Sequence, residues 1–412
     1  MKSIPYNIGV ATIGRIVANA LGVVIVGFLT RALGPEKFGD YNTIFAYLFL
    51  FNVLADMGLY TLLVREISRD GADEPNIVSN IFTLRLLLVM ASMVLASLVS
   101  FLLPYSSVVR FGIFIATFST IFSSLVQVLM GVFQKHLALH LPAIADIATR
   151  AVQLLGVYLL LSFGKDGILA FVGVVVVAGF AQLCLILPFA YRIVHFRIHV
   201  DVAFWKQLLK QSLPIAVSLL FTLLYFKIDT VMLSLMKSSY DVGVYSVGYK
   251  VLEVVIFFPA MYVGLIMPLL SRFADSRKEF LAVFSKAFRS LSLGAVMTIV
   301  GLIVFARPIV SILGGPDFVA DSAPVLVILS FAVGIIFLGN LGGNALIALN
   351  LQRKAMWIYG AGAAVNIIAN LLLIPRYSYT AAAWNTVATE FLVTAGMFLL
   401  IARALRNRVS HP

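Results

Sequence analysis

Two long apolar runs within residues 213–272 carry charged side chains well inside them. Each run is long enough to cross a hydrocarbon core of roughly 30 Å as a helix. Lys227 and Asp229 lie in the first run, and Lys250 and Glu253 lie in the second. A charge at bilayer depth costs roughly 2.5–3.5 kcal/mol on insertion scales, so such residues usually face a protein-lined or hydrated interior. The stretch therefore indicates a pathway for a polar or charged molecule.

Other apolar runs of the chain contain six more charged residues, which are Arg15, Asp56, Arg85, Asp146, Arg150 and Glu390. If all ten charges faced lipid, they would cost on the order of 30 kcal/mol, which exceeds the net stability of a folded domain. Most of them must therefore pair with one another or line a hydrated cavity. We expect Arg85 to reach the interface, because it lies near the inner end of its run and has a long side chain.

The basic residues in these runs favour an anionic ligand such as a phosphate, because a pathway for cations would favour carboxylates alone. The candidate phosphate-binding residues are Arg15, Arg150, Lys227 and Lys250. Arg15 and Lys227 have no acidic residue three or four positions away on their own helices, which makes them the stronger candidates. Arg150 follows Asp146 by one helical turn, so a structural ion pair is an equal alternative there.

Four carboxylic acids at membrane depth are candidates for coupling to a proton or sodium gradient: Asp56, Asp229, Glu253 and Glu390. An apolar environment disfavours the charged form of a carboxyl group, so such a group can take up a proton or a small cation. A permanent ion pair is the structural alternative, and Lys250 lies three residues before Glu253, within reach on one helix face. Lys227 and Asp229 are two residues apart and cannot share a face.

The sequence predicts no metal site and no cofactor beyond a coupling ion. His136 and His140 have the spacing of metal ligands on a helix, but no neighbouring carboxylate or thiolate completes a site. The single cysteine, Cys184, excludes an internal disulfide and a cysteine-based metal centre.

The composition identifies an integral membrane protein. Of the 412 residues, 61% are hydrophobic and 12% are charged, and the mean hydropathy is +1.04. A soluble domain is about 45–50% apolar and about 25% charged. The apolar runs are continuous over about 20 residues, which predicts membrane-spanning helices and not an alternating barrel.

About twelve spans are predicted on the length criterion. They lie near residues 8–31, 39–63, 80–103, 111–133, 142–163, 168–191, 213–235, 244–270, 288–313, 323–349, 355–374 and 380–402. Roughly 18 Lys and Arg residues fall in the termini and even-numbered loops and about 7 in the other loops, which predicts that both termini are cytoplasmic. The net charge of +12 thus lies mostly at the inner surface. At that surface the positive charge attracts anionic lipid headgroups, and we therefore do not interpret it as a sign of nucleic-acid binding.

The spans form a repeat of two halves. Residues 38–41 (FGDY) and 242–245 (VGVY) occupy the same place in two similar helical hairpins, half the chain apart. We predict two six-helix lobes, residues 1–191 and 213–412, joined by a cytoplasmic amphipathic connector, residues 192–212. Within the connector, an apolar stripe lies opposite Lys206 and Lys210, as in a helix that lies in the membrane interface with its apolar side in lipid; the stripe consists of Phe204, Trp205, Leu208 and Leu209. Six spans per lobe give both lobes the same orientation, which makes the repeat parallel.

Several segments in series carry a resemblance to a known family. They are residues 31–41 (RALGPEKFGDY), 55–66 (ADMGLYTLLVRE), 226–232 (FKIDTVM), 241–245 (DVGVY), 268–272 (PLLSR) and 366–375 (NIIANLLLIP), followed by 381–383 (AAA) and Glu390. Together they resemble the lipid-linked oligosaccharide flippases of the polysaccharide transport family (O-antigen flippase-like), in the MOP (multidrug/oligosaccharidyl-lipid/polysaccharide) superfamily. The connector after Pro375 lacks the glycine expected there.

The resemblance implies an all-α, MATE-like fold and a transporter, not an enzyme. The implied substrate is a polyprenyl-diphosphate-linked oligosaccharide, moved by alternating access from the inner to the outer leaflet of the cell inner membrane for surface polysaccharide synthesis. Further implied partners are polysaccharide assembly proteins. The polar residues that could meet sugar hydroxyls are Asn19, Gln153, Asn340, Asn344, Asn366 and Asn370. A multidrug or cation antiporter of the same superfamily is the nearest alternative. A membrane glycosyltransferase or polymerase is a weaker one, because the outer loops are short.

Cysteine labelling from outside the cell tests the predicted topology. In a Cys184→Ser background, a membrane-impermeant thiol reagent should modify an Asp317→Cys variant and miss an Asp275→Cys variant. Residue 317 lies in a loop predicted to be outside, and residue 275 lies in a basic loop predicted to be cytoplasmic. The reverse labelling pattern would overturn the orientation.

Overall fold

The computed structural model describes residues 4–407, without the side chains of residues 4–8, 214–215, 218–219, 222–225 and 407. The described chain is all-helical. The helices are α1 (Ile4–Asp56), α2 (Leu59–Ile67), α3 (Glu74–Ser100), α4 (Ser107–Lys135), α5 (His140–Ser162), α6 (Ile168–Ile193), α7 (Val202–Met236), α8 (Ser239–Val255), α9 (Phe257–Arg272), α10 (Arg277–Val304), α11 (Ala306–Gly314), α12 (Pro316–Ala348) and α13 (Gln352–Asn407).

The predicted all-α polytopic architecture is confirmed. Among the described residues, nine helical stretches are long and apolar enough to cross a membrane. Two of these, Gly9–Ile67 with 59 residues and Gln352–Arg406 with 55 residues, are each long enough for two crossings. The first contains a kink at Gly34 and the second a kink at Ser378. Helix α7 contains the run predicted as the seventh span.

Glycine and proline explain where the helices bend. Gly34 has a φ of 65°, a left-handed conformation that favours glycine, and Pro35 then begins the next helical segment. Helix α8 ends at Val255 because Pro259, four residues later, has no N–H to donate to its carbonyl. The kink in α13 lies at Ser378, which has a left-handed φ of 50°, three residues after Pro375.

The chain divides into two compact units, Met1–Leu223 and Leu224–Pro412. The division falls inside α7, so the predicted connector and the seventh span belong to one continuous helix from Val202 onward. The functional assignment of lobes 1–191 and 213–412 stays a prediction.

The connector is held on the first unit by a series of hydrogen bonds. The backbone N–H groups of Arg197, His199 and Asp201 donate to side-chain oxygens of buried residues on α3, each at 3.0 Å. The accepting residues are Ser79, Thr83 and Asn80, respectively. Donation by every second residue indicates an extended backbone that lies along the helix.

The amphipathic stripe predicted within the connector faces protein. Leu208 is buried in the core of the first unit, and Phe204, Trp205 and Leu209 pack against that core. The Trp205 indole N–H also donates to the backbone carbonyl of Asn80 at 3.2 Å. The prediction of a helix with its apolar side in lipid is therefore wrong for this stripe, because the stripe packs against the buried core of the first unit.

Candidate functional site

One carboxylate in the second unit holds two lysines. Glu253 Oε2 lies 2.8 Å from Lys250 Nζ, and Glu253 Oε1 pairs with Lys227 Nζ. The Lys227 ammonium also lies over the Tyr249 ring, 4.8 Å from its centroid, in a cation–π contact. The side chains of Lys227, Lys250 and Glu253 are 25%, 39% and 27% exposed. The group, here called the lysine cluster (Lys227, Lys250 and Glu253), is therefore within reach of a ligand.

Asp229 lies two residues further along α7 in a wholly different environment. It is 2% exposed. Its carboxylate accepts hydrogen bonds from the Asn370 amide at 2.5 Å, the Thr386 hydroxyl at 2.8 Å and the Tyr245 hydroxyl at 3.3 Å. All three donors are neutral, so hydrogen bonds alone stabilise the negative charge. A proton or a small cation that enters this site would find oxygen ligands and an uncompensated charge.

Asparagines extend the buried network around Asp229. The Asn370 amide also donates to Asn366 Oδ1 at 2.9 Å, and the Asn385 amide donates to Asn370 Oδ1 at 2.8 Å. Asn366 and Asn370 are 1% and 0% exposed. We predicted that these two residues would face a cavity and meet sugars. The structure places them in the interior instead, where their amides support the Asp229 carboxylate.

Helix α8 connects the two clusters. The Tyr245 hydroxyl contacts Asp229, and the Tyr249 ring lies under Lys227. The two tyrosine rings stack at 5.6 Å between centroids, as expected for residues four apart on one helix. The sequence predicted that Lys227 and Asp229 point to different faces, and the structure confirms it. A change at one cluster can therefore reach the other through one turn of α8.

The first unit contains an enclosed ion pair. Arg85 is 0% exposed, and its guanidinium donates to Asp56 Oδ1 at 2.6 Å, to Ser124 Oγ at 2.6 Å and to Gln127 Oε1 at 2.9 Å. The expectation that Arg85 reaches the interface is wrong, because its side chain turns inward to Asp56. Asp56 ends α1 just before a break at Met57, which has a φ of 45°. A carboxylate at a helix C-terminus is unfavourable, and the arginine offsets this cost.

The other basic candidates of the first unit surround Asp146. Arg15 is exposed and close enough to Asp146 to interact electrostatically with it. Arg150 also interacts electrostatically with Asp146 and donates to Gln153 Oε1 at 2.9 Å. The Asp146 carboxylate itself accepts a hydrogen bond from Gln182 at 2.7 Å. The structure therefore brings Arg15 and Arg150 to a single acid, so this group keeps an excess of positive charge.

Four candidates remain, which are Asn19, Asn340, Asn344 and Glu390. Asn19 is half-buried on α1, one turn beyond Arg15. The side-chain amides of Asn340 and Asn344 donate to backbone carbonyls of their own helix, at 3.0 Å and 2.9 Å. Glu390 is 6% exposed and interacts electrostatically with two tyrosines, Tyr249 and Tyr359.

Sequence reasoning missed three ligands of the Asp229 network: Tyr245, Asn385 and Thr386. Tyr245 lies in the hairpin motif at 242–245 that repeats residues 38–41, and Asn385 and Thr386 follow the small-residue run at 381–383. Each of the three is a polar side chain inside an apolar run, and this pattern could have marked them as candidates.

These helices define a multi-pass membrane protein with the fold of MOP-superfamily transporters. The lipid II flippase MurJ, in an inward closed conformation, is similar with a TM-score of 0.81 and 13% identity, over 97% of this chain and 89% of that one. An inward-facing multidrug-resistance MATE transporter of the MOP superfamily is similar with a TM-score of 0.77 and 10% identity, over 97% of this chain and 99% of that one.

The sequence defines the family more closely. A family model described as "Polysaccharide biosynthesis protein" matches residues 5–274, and the chain belongs to that family. The capsular polysaccharide biosynthesis protein CapF of Staphylococcus aureus is 23% identical over 401 residues, which cover 94% of this chain and 97% of that protein.

Removal of the acid from the enclosed ion pair should destabilise the protein. An Asp56→Asn variant leaves the buried Arg85 charge uncompensated, at an expected cost of about 3–5 kcal/mol. A double Asp56→Leu, Arg85→Met variant should recover most of that loss, since it buries no charge. Thermal unfolding in detergent measures both, and the exposed Asp70→Asn is the control. A stable Asp56→Asn variant that loses its dependence on an ion gradient would assign coupling to Asp56 instead.

Proposed function

We propose that this protein moves a polyprenyl-diphosphate-linked oligosaccharide from the inner to the outer leaflet of the cell inner membrane, for the synthesis of a surface polysaccharide. It acts as a transporter by alternating access and not as an enzyme, with both termini in the cytoplasm. Membership of the polysaccharide biosynthesis family supports this proposal, and so does the fold shared with a protein named as a lipid II flippase. The observation that carries it is the lysine cluster.

Glu253 occupies the lysine cluster as a phosphate group would. Each of its two oxygens holds one ammonium group, and a phosphate offers the same pair of oxygens with more negative charge. With two lysines and one carboxylate, the cluster has a net charge of one positive unit. A diphosphate with two or more negative charges can therefore displace Glu253 and neutralise the cluster more completely. The partial exposure of all three side chains gives the ligand access.

Arg15 and Arg150 supply a second positive group for the same ligand. Both are exposed, and they share the acid Asp146. By the rise of 1.5 Å per residue, Arg15 lies about 10 Å and Lys227 about 20 Å from the inner end of their predicted spans. The two groups can thus hold the diphosphate at successive depths. The polar side chains of Asn19 and Gln153 beside the arginines are available to sugar hydroxyls.

We further propose that a proton or a sodium ion drives transport by binding at Asp229. A buried carboxylate with neutral donors gains most from a bound cation. Once neutralised, it accepts the Tyr245 and Thr386 hydrogen bonds more weakly. The release of Tyr245 then shifts Tyr249 and the lysine cluster, because both tyrosines lie on α8. Glu253, also considered for coupling, acts instead as the counter-ion that the substrate displaces.

A multidrug or cation antiporter is the second candidate. The fold shared with a MATE transporter and the buried Asp229 both favour it. A cationic substrate, however, would need an excess of acid in the accessible cluster, and the lysine cluster has an excess of base.

Neutralising the lysine cluster tests the proposed binding site. Lys227→Ala or Lys250→Ala should each reduce surface glycan export at least about tenfold, since a charge-assisted hydrogen bond contributes about 1.5–3 kcal/mol. Export is measured as surface glycan in cells that lack the native gene, at equal protein level. Lys165→Ala, an exposed loop lysine, is the control. Arg15→Ala should also abolish export. Arg15→Lys should restore only part of the export, because a lysine cannot form the bidentate hydrogen bonds that an arginine forms with phosphate.

A triple variant separates binding from folding. Lys227→Gln, Lys250→Gln and Glu253→Gln together leave no unpaired charge in the cluster, so the protein should fold and still fail to export glycan. Normal export by this triple variant would end the proposal that the cluster binds phosphate.

Asp229→Asn tests the coupling site. In proteoliposomes, transport by the variant should no longer respond to a proton gradient or a sodium gradient, because the amide cannot take up either ion. Asp275→Asn, at an exposed position, is the matched control. Separate proton and sodium gradients identify which ion drives the wild-type protein. A variant that keeps the wild-type gradient response would exclude Asp229 as the coupling residue.

A further inference from the structure

A groove lies on the first unit where α6 meets the connector. Its volume is about 380 Å³, within the range of small-molecule sites. Most of its lining is apolar or aromatic, with one arginine; the residues are Phe82, Leu187, Pro188, Tyr191, Phe196, Arg197 and Ile198. None of them takes part in the clusters assigned to transport.

The groove is held open by the fold. Its aromatic wall consists of Phe196, which contacts Phe82 at 5.1 Å and Tyr191 at 6.0 Å between ring centroids. The connector backbone next to Phe196 is tied to α3 by hydrogen bonds from Arg197 and His199. The groove therefore needs no rearrangement to accept a ligand, which reduces the entropic cost of binding.

The charges around the groove select an anionic ligand. Arg197 lines the groove. Arg192 and His195 lie next in the chain to lining residues, and all three are exposed. Within the part of the chain that the structure describes, neither guanidinium forms an ion pair. Exposed apolar side chains continue along the same segment, with Ile198 at 71% and Val200 at 56%. Apolar surface beside unpaired positive charge is the pattern of a membrane interface with acidic lipids.

We propose that this groove binds one acidic phospholipid, with an acyl chain against the aromatic wall and the phosphodiester at Arg197 and Arg192. The groove lies at the end of α6 that the predicted topology assigns to the cytoplasmic side, where acidic headgroups concentrate. A bound lipid would fasten the connector, and with it the start of α7, to the membrane surface. The site is separate from the lysine cluster and does not depend on the proposed transport function.

Native mass spectrometry of the purified full-length protein tests this site. Phosphatidylglycerol and phosphatidylcholine with the same acyl chains are titrated in parallel. The wild-type protein should retain one phosphatidylglycerol at concentrations where it retains no phosphatidylcholine. Arg197→Ala should weaken phosphatidylglycerol binding about fivefold, since one basic residue near an acidic headgroup contributes about 1 kcal/mol. Equal retention of the two lipids by the wild-type protein would overturn the proposal.

A matched pair of variants distinguishes the groove from general surface charge. Ile198→Asp and Val200→Asp each add one carboxylate to the same exposed segment, but only residue 198 lines the groove. Ile198→Asp should abolish retention of the lipid, and Val200→Asp, which changes only the surface charge, should weaken retention by no more than about fivefold. Equal effects of the two variants would overturn the proposal. So would displacement of the lipid by glycerol phosphate at the same concentration, because the acyl chain would then contribute nothing.

Discussion

A charge inside a hydrocarbon layer is costly, and the interior of each unit is arranged to neutralise the charges it contains. Asp56 and Arg85 form a closed pair in the first unit, and the guanidinium also donates to a hydroxyl and to an amide oxygen. In the second unit one carboxylate serves two lysines. Two of these pairings also join different helices, since Asp56–Arg85 links α1 to α3 and Lys227–Glu253 links α7 to α8.

The degree of enclosure separates structural charges from functional ones. The arginine at position 85 has no access to solvent, so no ligand can replace its carboxylate. The lysine cluster is partly exposed, so a more highly charged anion can compete for it. Asp229 is enclosed but lacks a basic partner among its hydrogen-bond donors, and it therefore has capacity for a cation. The chain thus contains three kinds of charged site within the membrane: an enclosed ion pair, a partly exposed cluster, and an enclosed acid held by neutral donors.

The spans and the charged residues could be predicted from the sequence, because both follow from local composition. The pairing of Lys250 with Glu253 was also accessible, since it is set by helical spacing. The partners of Arg85 and Asp229 were not, because Asp56 is 29 positions from Arg85, and Thr386 is 157 positions from Asp229. Only the packing of distant helices determines such contacts, and one sequence does not reveal it. For the same reason the apolar stripe of the connector was assigned to lipid when it faces protein.

The proline that ends α8 has a mechanical consequence. In a membrane every backbone hydrogen bond that opens must be replaced, which makes an uninterrupted helix stiff. At Pro259 the bond to the carbonyl of Val255 never forms, so the helix can flex at this joint without breaking another. Glu253 lies on α8, on the near side of the joint, so α9 can change its angle to α8 without separating Glu253 from its lysines. Span eight is thus compliant at this joint, close to the group that holds the substrate in our proposal.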